Sequence, residues 1–438
     1  MIAEQFLLLA AAAAGRGTGI VRRRGRVVAQ GRALIDDDGA FRPLAITCFP
    51  LVWGVRHDRE RFEANVEEAA TYGVHAPRIL GEVGGTSWED RVIDPLAPTY
   101  EEDLAAAIEL NTAHGMRTLL SIFGGGVIDR GRQADVDRTV EKVIAVVRPR
   151  LEQILAIEIA NEDNFPGDDA DVHRVARLIR SALPSVVLMP FSPGYDEHGE
   201  QKLAYGDTFI APDACNAQNL HQDRTPGDLD WRQARQLWGI NYPYPLGALE
   251  PMGVKLMQGE DLNDPVRLAF CRAVGLFTGF QIFTLHCGPG VRLGGQYDVN
   301  MGRAANYWEN PEIAACARML NVVERLVPLH AGDWIKTSQH GRSPFADNPL
   351  YADAIWSDDG ETHGVSRHYV AYHGREFVGL SYGVKEWAEL IARRTIDATL
   401  FDLRAETFSP LALMNGERET LGGDGAADPA YVIVGTQT

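Results

Sequence analysis

The chain has 438 residues, 45% of them hydrophobic and 23% charged, with a formal net charge of −18. That length exceeds one ordinary hydrophobic core and calls for a large domain plus a smaller one, while the composition excludes bulk disorder. The negative balance repels phosphate backbones and anionic membrane surfaces, so neither is an expected partner.

The first residues, MIAEQFLLLAAAAAGRG, are apolar, but Glu4 stands where a secretion signal carries basic residues. This stretch reads as a short helix or arm, with an uncleaved signal as the alternative. No later stretch approaches the ~20 apolar residues that span a bilayer. The expectation is therefore a soluble chain with its compartment open: the cytoplasm, or a virion if a phage encodes it.

From Gly19 to Ile46 apolar residues alternate and are broken by turn residues such as the Asp36–Gly39 run, which predicts hairpins. On this reading Arg22, Arg23, Arg24 and Arg26 form the wet side of a strand rather than a nucleic-acid patch.

Short apolar runs then alternate with longer stretches of helical period, the pattern of repeated βα units around a parallel sheet. Eight strands are predicted, at 44–50, 74–80, 117–123, 154–160, 186–192, 214–221, 254–260 and 280–286. Amphipathic segments such as YEEDLAAAIELNTAHG and DADVHRVARLIRSALP separate them, several closed by Gly or Pro. Beyond about Asp333 the helical period fades and strands with turn signals return. The fold class is α/β: a (β/α)8 TIM barrel at 44–330, preceded by an arm and β-hairpins at 1–43 and followed by an antiparallel β-sandwich at 331–438. Pattern alone leaves an open doubly wound sheet as the alternative.

Cys48, Cys215, Cys271, Cys287 and Cys316 are odd in number and widely spaced, which signals neither a disulfide framework nor a structural zinc site. They read as small buried hydrophobes. The glycine runs IFGGGVIDRG and GPGVRLGG match neither a dinucleotide nor a phosphate-loop pattern and read as flexible loops shaping a cleft.

In a parallel barrel the chemistry gathers where strands end, so polar residues closing apolar strands are the candidates. The fourth strand closes on Asn161 and Glu162, the predicted seventh on Glu260, the sixth on His221 and the eighth on His286. Two carboxylates facing one pocket suit glycoside hydrolysis, one protonating the leaving oxygen and the other attacking the anomeric carbon. Competing readings keep Glu162 as a helix cap, Glu260 as part of an acidic first helical turn and Arg78 as a structural ion pair; Glu82 and Asp261 are the rival carboxylates. His221 and His286 lack the accompanying ligands of a metal set, so no metal is expected.

An Asn-Glu pair closing strand four, with a second Glu closing strand seven, resembles the clan of retaining (β/α)8 glycoside hydrolases that includes cellulases, mannanases and β-galactosidases. The resemblance covers roughly Leu44 to Val327. It implies Glu162 as general acid/base, Glu260 as nucleophile, Asn161 as a partner of the sugar 2-hydroxyl, Arg78 as the cation near the nucleophile and His221 as a pocket-lining residue. Where the clan often has a tryptophan after strand eight, this chain has His286. Trp53, Trp238, Tyr242 and Tyr244 are candidate sugar platforms instead. The resemblance implies an oligo- or polysaccharide substrate, no cofactor, and leaves open a homo-oligomer or larger assembly. The alternatives from other classes are a barrel that binds glycans without cleaving them, for example in a phage virion, and a metal-dependent barrel hydrolase.

Overall fold

The structure, a computed structural model, describes residues 22–85, 88–128, 132–161, 165–191, 213–221, 244–250, 265–292, 306–329, 334–336, 350–353, 367–382, 388–392, 394–421 and 430–437. Three short antiparallel strands come first: β1 (Val28–Gln30), β2 (Ala33–Asp36) and β3 (Gly39–Phe41). Eight parallel strands follow as the staves of a barrel. They are β4 (Leu44–Thr47), β5 (Ala76–Leu80), β6 (Thr118–Phe123), β7 (Ile154–Ala160), β8 (Leu188–Phe191), β9 (Gln218–His221), β10 (Leu246–Glu250) and β11 (Phe280–Leu285). Around them run α1 (Leu51–His57), α2 (Arg59–Thr71), α3 (Tyr100–Ala113), α4 (Gln133–Val147), α5 (Asp169–Ala182), α6 (Pro265–Leu276), the short α7 (Gly288–Arg292) and α8 (Pro311–Leu326).

The ladder runs β8-β7-β6-β5-β4-β11-β10-β9. Its two ends are stitched by Asn216, just ahead of β9. The Asn216 and Ala217 amides both donate to the Leu188 carbonyl, at 3.1 and 3.2 Å, and the Leu188 amide donates to Asn216 Oδ1 at 2.8 Å. Closure gives backbone groups on both edge staves partners that an open sheet would leave exposed.

Seven staves fall where apolar runs predicted them. The seventh does not: it is Leu246–Glu250, and the run at 254–260 lies outside the described residues. Proline and glycine in NYPYPLGALEP hide this strand, since both are depleted in strands on average. Inside the barrel the small residue is an asset. A Cβ on Gly247 would lie 3.1 Å from the Leu249 side chain and 3.3 Å from Met189 Sδ.

The first inward layer of the barrel is made largely of small residues, among them Ala45, Ala76, Ala156 and Ala217, and the space they leave is filled from below. Val27, Leu34 and Phe41 of the N-terminal segment join them in one buried cluster with Leu119, Val187 and Ile282. Polar contacts tie this plug down: Arg117 donates to Asp36 at 2.8 Å and to the Gly25 carbonyl at 2.9 Å. The residues Arg22 to Arg26 belong to no strand, contrary to expectation, and extend along the outside of this plug.

His75, at the entrance to β5, has its Nδ1 as acceptor of the Leu44 amide at 3.2 Å, a role only an unprotonated nitrogen can fill. Burial, with Arg23, Arg117 and Arg272 nearby, holds its pKa down from 6.5 to about 4. The folded state then binds a proton less readily than the unfolded one, so this histidine's contribution to stability is complete above pH 6.5 and is lost as pH falls toward 4. Unfolding midpoints followed between these limits should fall with pH, and the slope should flatten in His75→Gln.

The C-terminal strands are β12 (Ile335–Lys336), β13 (Leu350–Asp353), β14 (Arg367–His373), β15 (Glu376–Tyr382), β16 (Ala388–Ala392), β17 (Ile396–Asp402), β18 (Thr407–Leu413), β19 (Arg418–Leu421) and β20 (Ala430–Gln437). They form a six-stranded sheet, β12-β14-β15-β20-β17-β18, and a three-stranded one, β13-β16-β19. Alternation along β17 and β20 gives the larger sheet two apolar faces. Val370, Phe377, Ile396 and Ile433 share a cluster with Ala392 of β16. Tyr369, Val378, Leu380 and Val432 face the other way and join the barrel's own core, where Phe270 of α6 meets Tyr369 with ring centroids 6.2 Å apart. All five cysteines are buried free thiols. Among the described residues no helix is long and apolar enough to cross a membrane.

Candidate active site

Two residues beyond the apolar first layer, the same inward positions turn polar. Ala45 is followed by Thr47, Ala76 by Arg78, Leu119 by Ser121, Ala156 by Glu158 and Ala217 by Asn219, as the strand period of two dictates. These five side chains are all fully buried, so each must find partners within the barrel.

Arg78 supplies most of them. Its guanidinium donates to Glu158 Oε2 at 2.8 Å and to Asn161 Oδ1 at 2.6 Å, and its Nε donates to Ser121 Oγ at 3.2 Å. Glu158 also accepts from the Ser121 hydroxyl and from the Asn219 amide. The Asn219 Oδ1 in turn accepts the Leu249 amide at 3.3 Å. One network therefore links staves two, three, four, six and seven. Arg78 also lies over the Phe49 ring, 5.1 Å from its centroid.

Strand-end reasoning does not reach Glu158, which lies two residues before the end of β7. A lone carboxylate at an inward position of an otherwise apolar strand was the available signal. Arg78, expected beside the nucleophile, has Glu158 as its carboxylate partner among the described residues. With its oxygen accepting from Arg78, the Asn161 side chain presents its Nδ2 as a hydrogen-bond donor.

His286, directly after β11, is buried and has its Nδ1 2.8 Å from Thr47 Oγ1. The Thr47 carbonyl accepts the Tyr307 hydroxyl at 2.6 Å. Gly290, after β11, is closely packed rather than loose. A Cβ on Gly290 would lie 1.7 Å from the Thr47 carbonyl oxygen, and the Gly290 carbonyl accepts the Phe49 amide at 2.7 Å. Gly290→Ala should cost about 3 kcal/mol or more, read as a lowered midpoint in urea. The glycines after β6 are equally committed: Gly125 and Gly126 both sit at φ 103°, a region closed to other residues.

Glu82 is a clamp between loops. Its Oε1 accepts the Val127 and Ile128 amides at 2.8 and 3.0 Å, tying the loop after β5 to the loop after β6, and burial raises its pKa. Trp53 sits on α1, stacked on His57 with centroids 5.0 Å apart and edge-on to Phe62. Its ring contacts are thus with helices rather than with the strand-end network. Tyr244 lies at the far end of the barrel, ahead of β10, and donates to Gln218 Oε1 at 3.4 Å.

His221 ends β9 and Glu250 ends β10. A bulge between Ala248 and Glu250 shifts the register so that Glu250 pairs with His221. The sequence argument for Glu260 rested on a strand at 254–260, and the strand that occupies the seventh position ends at Glu250. Glu162, Glu260, Asp261, Tyr242 and Trp238 lie outside the described residues.

Comparison with solved structures follows the whole chain rather than the barrel alone. A structure described as a glycoside hydrolase superimposes with a TM-score of 0.61 at 12% identity, covering 94% of this chain and 97% of the other. A glycoside hydrolase family 5 protein from Bacteroides vulgatus gives 0.62 at 13% identity, with 94% of each chain covered. The fold these structures share with the chain is a (β/α)8 barrel with added β-structure. An Anoxybacillus α-amylase shares it more distantly, with a TM-score of 0.53, 10% identity and coverage of 91% and 98%. No protein family matches the chain by sequence, and no curated protein does.

Proposed function

We propose that the chain is a retaining glycoside hydrolase, with Glu162 as general acid/base and Glu250 as nucleophile. The observation that carries this reading is a glutamate at or just beyond the C-terminal end of each of two staves. β7 ends at Ala160 and is followed by Asn161, whose amide oxygen is held by Arg78, and then by Glu162. β10 closes on Glu250, level with His221. Carboxylates from two staves can divide the work of double displacement. Glu162 protonates the departing glycosidic oxygen while the Glu250 carboxylate bonds to the anomeric carbon. Glu162 then takes a proton from water, which displaces the carboxylate and releases the sugar with its configuration retained.

The substrate is an oligo- or polysaccharide. Asn161 Nδ2 donates to a sugar oxygen, and His221 and His286, at or just beyond the ends of two further staves, are candidate sugar contacts, His286 held by Thr47. Arg78 acts by holding Asn161 and Glu158 in place, and Trp53 and Tyr242 remain candidate sugar contacts.

A panel of aryl glycosides and polysaccharides tests the reading, with the anomeric configuration of the first product followed by NMR. Retained configuration on any substrate supports it. Inverted product overturns double displacement, and a wild type that binds glycans without cleaving them overturns the enzyme reading.

A further inference from the structure

At the end of the barrel away from the candidate site, a groove of about 700 Å³ lies between the residues preceding β1, the turn from α3 to β6 and the segment joining α4 to β7. Seven arginines line it, against a single acidic residue, Glu152. In a chain of net charge −18 this is a local reversal of sign.

The seven fall into two groups. Arg23 and Arg117 share the buried Asp36, at 2.6 and 2.8 Å. Arg24 pairs with Asp38 at 2.7 Å and Arg150 with Glu109 at 2.7 Å. None of these three carboxylates lines the groove, so they fix its arginines from behind. Arg22, Arg26 and Arg148 have no carboxylate partner among the described residues; Arg22 reaches only the Thr112 carbonyl, at 3.4 Å. Three uncompensated guanidiniums brought together repel one another, and an anion placed between them would relieve that repulsion.

We propose that this groove binds a small ligand bearing two or more oxyanion groups, held by Arg22, Arg26 and Arg148. Its volume lies within the roughly 300–1,000 Å³ of small-molecule sites, and the acidic remainder of the surface opposes a long polyanion. Guanidinium forks bind carboxylate, sulfate and phosphate groups alike, so the ligand is an acidic sugar or a phosphorylated metabolite. The proposal stands apart from the hydrolase reading, because the groove and the strand C-termini are at opposite ends of the barrel.

Calorimetric titration of the full chain at low salt provides the test, with trigalacturonate, a sulfated disaccharide and inorganic pyrophosphate as ligands and a neutral trisaccharide as control. At least one anion should bind, with an affinity that falls as salt is added. The double variant Arg26→Glu with Arg148→Glu should weaken it by about tenfold or more, while Arg59→Glu on α2 should not. Arg26 and Arg148 are exposed and take part in no ion pair among the described residues, so the variant should melt no lower than wild type. Whichever anion binds identifies the source. The proposal fails if none of the three binds at millimolar concentration, or if the double variant binds as tightly as wild type.

Discussion

Glu250→Gln should lower kcat by about three orders of magnitude or more on every glycoside tested, whereas Glu260→Gln should keep activity within about threefold of wild type. The contrast follows from the seventh stave, which lies between β9 and β11 and ends at Glu250, opposite His221 of β9. A small external nucleophile separates the roles further. With Glu250→Ala, azide should restore turnover of an activated aryl glycoside and give a glycosyl azide of inverted configuration, because it attacks from the face the carboxylate has vacated. Glu162→Gln should behave differently. It should spare the first step for leaving groups that need no proton and impair substrates with poor leaving groups. Full activity in Glu250→Gln together with loss in Glu260→Gln would return the nucleophile to the position the sequence first suggested.

The second large effect concerns Arg78. Its guanidinium and Glu158 are both fully buried, so truncating the arginine leaves a carboxylate in the barrel with Ser121 and Asn219 as its remaining donors among the described residues. Arg78→Met should destabilise the fold by about 3–5 kcal/mol, the cost of an uncompensated buried charge. Combining it with Glu158→Gln should recover part of that loss, because the stranded charge is gone. Urea unfolding of both single variants and the double gives the coupling. Additive losses would mean that the two side chains act independently, contrary to their geometry.

The architecture was legible because a parallel barrel buries its staves on both faces, leaving uninterrupted apolar runs such as ILAIEIA, whose predicted bounds coincide with β7. The seventh stave broke that rule. LGALE lies among prolines, and its glycine answers to Met189 across the barrel, a constraint no local pattern expresses. The strand-end logic brought out Asn161, His221 and His286 as stave-end positions and passed over Ser121, Glu158 and Asn219. Those three lie within staves, where a single polar residue has meaning only once the staves are closed into a ring. Trp53 and Tyr244 stand out in the sequence for their ring type alone; Tyr244 is set apart from the polar network by its place ahead of β10, and Trp53 by ring contacts to His57 and Phe62.

The cluster formed by Val27, Leu34 and Phe41 with the alanines of the staves changes where the cooperative unit starts. Leu44 opens the first stave, yet the apolar interior is incomplete without side chains that precede it. The barrel is corked by the segment that precedes its first stave, and the same cork carries four of the groove's seven arginines. Occupancy of that groove would therefore bear on the seating of the cork, linking an anion in solvent to the integrity of the hydrophobic interior.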